Sequence, residues 1–142
     1  MRVGWGWWYL NLAAISVVDV KCKEMAHEFR MKLPHAEKAL IPSAKIRDYL
    51  LSFSHPVGRF KAAFFQSLGY SASDWNLLSE DLRSFLQKQV HRTEKSEYGC
   101  KYEINGPLTG PFNKTAYIVT VWIILDGEER PRFVTAYPGD EI

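Results

Sequence analysis

The spacing of apolar residues along the chain changes from three or four positions to two at about residue 97. Before that point the longer spacing predicts three helices, over 43–51, 59–68 and 73–90. Pro56 separates the first two, because a proline cannot continue a helical hydrogen-bond ladder. Gly69 follows the second helix, where a left-handed cap is expected, and Ser73 is expected to cap the third. The first part of the domain is therefore predicted to be helical.

Beyond residue 97, alternation of apolar and polar residues predicts three strands, over 98–105, 115–125 and 132–137. The turn-rich sequence GPLTGP at 106–111 separates the first two, and Asp126-Gly127 separates the last two. Strands joined by short turns pair in an antiparallel manner. The predicted fold class is α+β, with N-terminal helices packed on one face of a C-terminal antiparallel β-sheet meander.

The turn near Gly127 determines which residues of the last two strands face each other. It predicts one amphipathic face made of three cross-strand pairs: Trp122 with Phe133, Thr120 with Thr135, and Ile118 with Tyr137. The opposite face is apolar and is expected to receive the helices: Val119, Val121, Ile123, Val134 and Ala136. Facing threonines framed by aromatic side chains are typical of a groove, whereas a register slip of one residue would reverse the two faces.

Composition and charge limit the class of protein. The 142 residues, 46% of them apolar, fit one folded domain, which we assign to 31–142. Residues 1–30 do not share its pattern and are predicted to be an N-terminal extension, either a packing arm or the product of an upstream start codon with Met31 as the natural start. Eighteen Lys and Arg against sixteen Asp and Glu leave a net charge of +2, which excludes a protein that attracts nucleic acid through a strong long-range field. Any basic site must be local, and DNA is not an expected partner.

Cysteine content and hydropathy indicate a location. Cys22 and Cys100 are too few and too distant in sequence to predict a disulfide framework or a zinc site. Cys100 is therefore expected to be a small core residue, and a reducing cytoplasm is the expected location. The apolar run at 5–18 is shorter than the ~20 residues that cross a bilayer. No membrane association is expected.

Candidate chemistry centres on the loop between the first two helices. No phosphate loop, dinucleotide fingerprint, nucleophile elbow or paired metal ligands occur, so no cofactor or metal is expected. His55 lies on a Pro-Gly loop, and Arg59 and Lys61 follow at the start of the next helix, where an anion is favoured. A purely structural role, in which His55 caps a turn and Lys61 is solvated, is the alternative. His91 follows the third helix, where a histidine also has a structural explanation.

These residues together have the parts for metal-independent cleavage of RNA. One imidazole would deprotonate the ribose 2′-hydroxyl, Lys61 would stabilise the phosphorus-centred anion, and the other imidazole would protonate the leaving oxygen. The predicted catalytic set is His55, Lys61, His91, Thr120, Thr135 and Tyr137. The predicted substrate contacts are Arg59, Trp122, Phe133 and Arg132, with the aromatic rings able to stack bases. Aromatic residues on a strand are also typical of a core, and that alternative stays open.

Several segments resemble an uncharacterised bacterial domain family that occurs alone and at the C-terminal end of secreted polymorphic toxins. The matching segments are LPHAEKALIP at 33–42, KIRDYLL at 45–51, HPVG at 55–58, KAAFF at 61–65, LGY at 68–70, GPLTGP at 106–111, VTVWI at 119–123 and PRFVTAYP at 131–138. That family has no established activity. The order of helices before a sheet also resembles, at the level of fold, the barnase, EndoU, colicin and RelE group of small ribonuclease toxins. This resemblance implies active residues on the sheet face and helix edge, and a cognate antitoxin or immunity protein as partner.

Two functions from different classes follow. The leading hypothesis is a small bacterial ribonuclease of toxin type, with RNA as substrate and His55 and Lys61 at its centre. The alternative is a non-catalytic interaction module, an antitoxin or immunity-type partner that uses the aromatic sheet face. The near-neutral charge favours the interaction module, and the His-Pro-Val-Gly loop joined to Lys61 favours the enzyme.

Overall fold

The computed structural model describes Cys22 and residues 32–140. Helices come first and are followed by one four-stranded antiparallel sheet in the order β1-β2-β3-β4. The α+β prediction, with helices ahead of an antiparallel meander, is confirmed. In the described part of the chain, no helix has the length and apolar character needed to cross a membrane. The expectations for residues 1–30 lie outside the described residues except at Cys22.

Three helical segments form the first layer. Helix α1 begins as α-helix over Ser43–Lys45 and continues as a π-helical turn over Ile46–Leu50. Helix α2 spans Gly58–Ser67, and α3 spans Trp75–Ser84. Short 3₁₀ turns occur at Ala36–Lys38, Ala72–Asp74 and Phe85–Gln87.

The helix ends follow local sequence in part. Gly69 has a φ of 108°, which confirms the predicted left-handed cap after α2. The prediction that Ser73 caps α3 is wrong, because the N-cap residue is Asp74 and it makes no side-chain capping bond. The Ser73 hydroxyl instead lies 3.1 Å from that of Ser71. The helix also ends earlier than predicted, in the 3₁₀ turn over Phe85–Gln87.

The sheet has one strand more than predicted. Strand β1 spans Arg92–Lys95, β2 spans Gly99–Thr109, β3 spans Thr115–Leu125 and β4 spans Arg132–Pro138. Strand β2 continues through the predicted turn, with Pro107 opposite Tyr117 on β3. Strand β1 pairs only with the first part of β2. Beside Pro107, β2 therefore has no second neighbouring strand, and the missing N–H of proline breaks no hydrogen bond there.

The predicted register between β3 and β4 is correct at one pair and wrong beyond it. Trp122 lies opposite Phe133 as predicted, but a bulge follows, so that Thr135 faces Val121. Thr120 consequently faces Ala136, and Tyr137 faces Val119. One strand of a bulge carries an extra residue, which reverses the expected faces beyond it. The bulge is the physical reason for the error.

The hydrophobic core lies between the helices and the sheet face that carries Trp122 and Phe133, which was predicted to form a groove. Trp122, Phe133 and Ala136 are buried in one cluster with Phe65 and Leu78 of the helices. The Trp122 and Phe133 rings meet edge to face, with centroids 5.3 Å apart. The prediction that Val119 and Val121 carry the helix-facing surface is therefore wrong.

A disulfide links the N-terminal segment to the sheet. Cys22 and Cys100 are bonded, with Cα atoms 5.7 Å apart across a sequence separation of 78 residues. Both cysteines are buried. The expectation of a free Cys100 in the core is corrected, because folding brings together two residues whose sequence spacing carries no pairing signal.

Candidate functional site

Tyr49 is the centre of a cluster to which α1, α2 and β4 each contribute. Lys61 Nζ on α2 donates a hydrogen bond to the Tyr49 hydroxyl at 3.1 Å. Thr135 Oγ1 on β4 lies 3.4 Å from the same oxygen. The His55 ring packs against the Tyr49 ring edge to face, with centroids 5.0 Å apart. Three residues singled out from sequence, His55, Lys61 and Thr135, therefore meet around a fourth that was not.

The backbone around Tyr49 explains its placement. Leu51 N–H donates to Ile46 O at 3.0 Å, which closes the π-helical turn that contains Tyr49. Ile46 and Leu50 are fully buried, whereas Tyr49 is half-buried. Helix α2 approaches this turn so closely that a Cβ on Gly58 would lie 2.0 Å from the Tyr49 carbonyl oxygen. Glycine at 58 thus allows α2 to bring its side chains to Tyr49.

His55 caps α2 with its own ring. Its Nδ1 accepts hydrogen bonds from the backbone N–H groups of Val57 at 3.1 Å and Gly58 at 3.0 Å. Its carbonyl accepts one from Arg59 N–H at 3.0 Å. While these bonds hold, Nδ1 carries no proton and the proton of the neutral ring is on Nε2. The N–H groups of Val57, Gly58 and Arg59 therefore already have partners, and the Nδ1 side of His55 has the structural role given as the alternative.

Two ammonium groups act on the Tyr49 hydroxyl and ring. Lys45 Nζ lies 5.7 Å and Lys61 Nζ 5.4 Å from the ring centroid. Partial burial acts to raise the pKa of Tyr49. The hydrogen bonds with Thr135 and Lys61 and the charges of Lys61 and Lys45 outweigh burial, so the pKa lies below its ordinary value of 10.0. The site favours a phenolate more than water does.

Thr120, Trp122 and Phe133 do not belong to this cluster. Thr120 is fully buried and its hydroxyl donates to Ile104 O at 2.8 Å. Trp122 Nε1–H donates to Thr120 Oγ1 at 2.9 Å. Trp122 and Phe133 are equally buried. Their assignment to a substrate face is corrected, because this face of the sheet packs against the helices.

His91 and Arg132, two further residues of the predicted site, lie elsewhere on the surface. His91 is exposed beside β1, at the opposite edge of the sheet from β4, and its N–H donates to Glu103 O at 2.7 Å. Arg132 pairs with Glu128 at 3.2 Å. Three strand spacings of about 4.8 Å each separate the β1 edge, beside which His91 lies, from β4, so His91 lies outside the Tyr49 cluster.

Tyr137 and Arg59 differ in their relation to the cluster. Burial raises the pKa of Tyr137, the Glu103 carboxylate raises it further, and Arg92 lowers it, so its hydroxyl is held in the protonated form. Arg59 is exposed in the first turn of α2, two residues from Lys61, with its guanidinium 4.9 Å from the Phe60 ring. Side chains two residues apart on a helix point in different directions, so no contact joins Arg59 to Lys61, and the roles assigned to Tyr137 and Arg59 from sequence stay predictions.

Tyr49 and Lys45 were not among the site residues predicted from sequence. Tyr49 shares the three- and four-residue spacing of Ile46 and Leu50 that predicts the first helix, so the pattern gives no reason to single it out. One local signal was available: Lys45 and Tyr49 are four residues apart and therefore neighbours on a helix surface. Among Cys22 and residues 32–140, no group of three His, Cys, Asp or Glu side chains is arranged to hold a metal ion.

Fold and site together define an α+β domain whose helices cover one face of an antiparallel meander and whose polar cluster joins two helices to the last strand. The chain belongs to the family described as a domain of unknown function (DUF6883), which matches residues 32–140. No curated protein matches it.

One solved structure with a similar fold is described as a contact-dependent growth inhibition toxin and immunity protein complex from Klebsiella pneumoniae 342. The likeness covers 75% of this chain and 97% of that chain, with a TM-score of 0.58 and 16% sequence identity. At this identity the likeness concerns the fold alone.

Proposed function

We propose that this domain is a ribonuclease of a toxin and immunity system that cleaves RNA phosphodiesters without a metal ion. The observation that carries the proposal is the Lys61 to Tyr49 hydrogen bond of 3.1 Å, in a half-buried position beside Thr135. A tyrosine with a lowered pKa in contact with an ammonium group is a base and an acid in one site. RNA supplies its own nucleophile, the 2′-hydroxyl, so no activated water is needed.

The proposed reaction is a transesterification with a closed proton circuit. The Tyr49 phenolate takes the proton of the 2′-hydroxyl, and the 2′-oxygen forms a bond to phosphorus. The bond from phosphorus to the 5′-oxygen breaks, and the Lys61 ammonium gives that oxygen a proton. The products are a 2′,3′-cyclic phosphate and a 5′-hydroxyl. Transfer of a proton from the Tyr49 hydroxyl to the Lys61 amine along their hydrogen bond then restores both groups.

The remaining members of the cluster support that circuit. Thr135 donates to the phenolate oxygen, and the Lys45 ammonium stabilises its charge through space. The His55 ring, with its proton on Nε2, serves as a hydrogen-bond donor to a phosphate oxygen and not as the base. His55 therefore keeps a place in the proposed site with a role different from the one expected from sequence.

The toxin-system part of the proposal rests on the similar fold in a toxin and immunity protein complex and on the resemblance to domains at the ends of polymorphic toxins. We propose an immunity protein as partner and RNA in a target cytoplasm as substrate. The disulfide between Cys22 and Cys100 fits a protein that passes through an oxidising space first, since disulfides persist there.

The test is cleavage of total RNA by the purified protein in the presence of a chelator. Wild-type protein is expected to yield fragments ending in cyclic phosphate. Tyr49→Phe and Lys61→Met are each expected to lower the rate about 10²- to 10⁴-fold, the usual loss when an acid or base is removed. Tyr98→Phe is the matched control and is expected to retain activity, because Tyr98 is exposed in the hairpin between β1 and β2.

Two outcomes would contradict the proposal. Full activity of both Tyr49→Phe and Lys61→Met would refute proton transfer by these two residues. Loss of cleavage when a chelator is added would show that the reaction needs a metal ion. The pH dependence separates tyrosine from histidine chemistry: the rate is expected to rise tenfold per pH unit and level off below pH 10.0. A maximum between two values near the ordinary histidine pKa would instead indicate an imidazole pair.

The non-catalytic alternative has one specific observation in its favour. Phe53 and Val57 are each 56% exposed and Phe60 is 70% exposed, all on or beside the His55 loop. Exposed apolar side chains grouped in one region are typical of protein interaction sites. An absence of cleavage together with stoichiometric binding of a toxin partner that Phe60→Ala disrupts would favour this function.

A further inference from the structure

Phe53 and Phe60 are exposed aromatic residues on the segment between Tyr49 and Lys61, and the proposed reaction does not use them. Phe53 follows α1 and is 56% exposed, and Phe60 in the first turn of α2 is 70% exposed. The Arg59 guanidinium lies 4.9 Å from the Phe60 ring centroid. Along the chain, Phe53 lies four residues after Tyr49, and Phe60 immediately precedes Lys61. They leave large planar apolar surfaces in water next to the cluster.

The charges around these rings are positive and uncompensated by carboxylates. Within residues 32–140, Lys45, Arg59 and Lys61 form no ion pair, whereas Arg92 and Arg132 do. The nearest acidic side chain in sequence, Asp48, is paired with Arg47 at 3.1 Å. A surface of this kind combines aromatic faces with free cations, and an anionic ligand complements it.

We infer that Phe53, Phe60 and Arg59 form a stacking platform that restricts the proposed enzyme to single-stranded RNA. This inference rests on the proposed function and names its substrate class. Unpaired bases expose their faces and stack on aromatic rings and guanidinium planes, while the phosphates meet cations. In a duplex the base faces are covered by their neighbours, and the two rings gain nothing from contact. Exposed rings and cations also suit an acidic protein partner, so the comparison of single strand with duplex decides whether unpaired bases are the ligand.

Binding of an uncleavable strand tests the platform separately from catalysis. The probe is a fluorescein-labelled single-stranded RNA whose 2′-hydroxyls are all methylated, which removes the nucleophile, and the readout is anisotropy. Phe60→Ala and Phe53→Ala are each expected to weaken binding about 5- to 100-fold, the usual loss for one stacked base. Tyr98→Ala is the matched control, because Tyr98 is 66% exposed in the hairpin between β1 and β2. It is expected to leave the affinity unchanged.

A duplex of the same sequence completes the experiment. It is expected to bind at least tenfold more weakly than the single strand, and Phe60→Ala is expected to leave that binding unchanged. Equal affinity for strand and duplex, or single-strand binding insensitive to both phenylalanine variants, would overturn the platform. Phe60-dependent binding of the methylated strand with no cleavage of ordinary RNA would support the platform and overturn the proposed catalysis. Cleavage by a Phe53→Ala, Phe60→Ala double variant at the wild-type rate would overturn the platform and support the proposed catalysis.

Discussion

Replacement of Thr120 by valine is expected to destabilise the domain without affecting the Tyr49 cluster. Thr120 is fully buried, accepts a hydrogen bond from Trp122 Nε1–H at 2.9 Å and donates one to Ile104 O at 2.8 Å. Valine has nearly the same shape as threonine but no hydroxyl. The substitution therefore removes two hydrogen bonds and changes little else.

The magnitude follows from what each lost bond leaves behind. The Trp122 indole N–H would remain buried without an acceptor, which costs about 1–3 kcal/mol. The bond to Ile104 O contributes about 0.5–1.5 kcal/mol on its own. We expect Thr120→Val to lower the free energy of unfolding by about 2–4 kcal/mol, a large part of the ~5–15 kcal/mol typical of a domain. Thr120→Ser keeps the hydroxyl and loses one methyl group, so about 1 kcal/mol is expected.

Denaturant unfolding measures these differences in the free energy of unfolding. Repeating the substitution in a Trp122→Phe variant shows how much of the loss comes from the indole N–H. In Trp122→Phe the indole donor is gone, so adding Thr120→Val should cost about 1–3 kcal/mol less than it does in the wild type. A cost below about 0.5 kcal/mol for Thr120→Val in the wild-type background would refute the buried hydrogen-bond chain. Loss of RNA cleavage at unchanged stability would return Thr120 to the substrate face predicted from sequence.

Two further predictions concern stability. Cys100→Ser opens a disulfide that closes a loop of 78 residues, so it is expected to lower the free energy of unfolding by about 2–4 kcal/mol. Reductant should lower wild-type stability equally and leave the variant unchanged, and a wild type that does not respond would contradict this. Burial, followed by the hydrogen bond to Asp81 and its charge, raises the pKa of Tyr70 far above 10.0. The unfolded chain loses that proton first, so stability should fall by about 1.4 kcal/mol per pH unit above pH ~10. Tyr70→Phe should reduce the slope in pH-dependent unfolding, and an unchanged slope would exclude Tyr70 as its source.

The helices and three of the strands were predictable because their signals are local. Apolar spacing, Pro56 and Gly69 act within a few residues of the structure they determine. Strand β1, Arg92–Lys95, was not predictable in this way, since its four residues are polar or charged and show no alternation of apolar side chains. It forms at the edge of the sheet, where pairing with β2 requires no buried side chain.

The faces of the sheet were not predictable from the hairpin turn. The pair Trp122 and Phe133 is correct, so the turn set the register as expected at its start. The bulge beyond that pair inserts one residue into β4, and nothing in the sequence at Val134 or Thr135 indicates it. The bulge therefore changes β4 alone: Ala136 is buried opposite Thr120, whereas Thr135 reaches Tyr49.

His55 has a structural role on which the geometry of the whole cluster depends. By bonding the amides of Val57 and Gly58, its ring begins α2 at the point where that helix touches the Tyr49 backbone. The same bonds occupy the nitrogen that a general base would need. His55 therefore positions the start of α2 against Tyr49. The group whose pKa is lowered is the Tyr49 hydroxyl beside Lys61. Histidine is the first candidate from sequence because its ordinary pKa is near neutral, but the pKa of Tyr49 is lowered by contacts that exist only when α1, α2 and β4 are assembled.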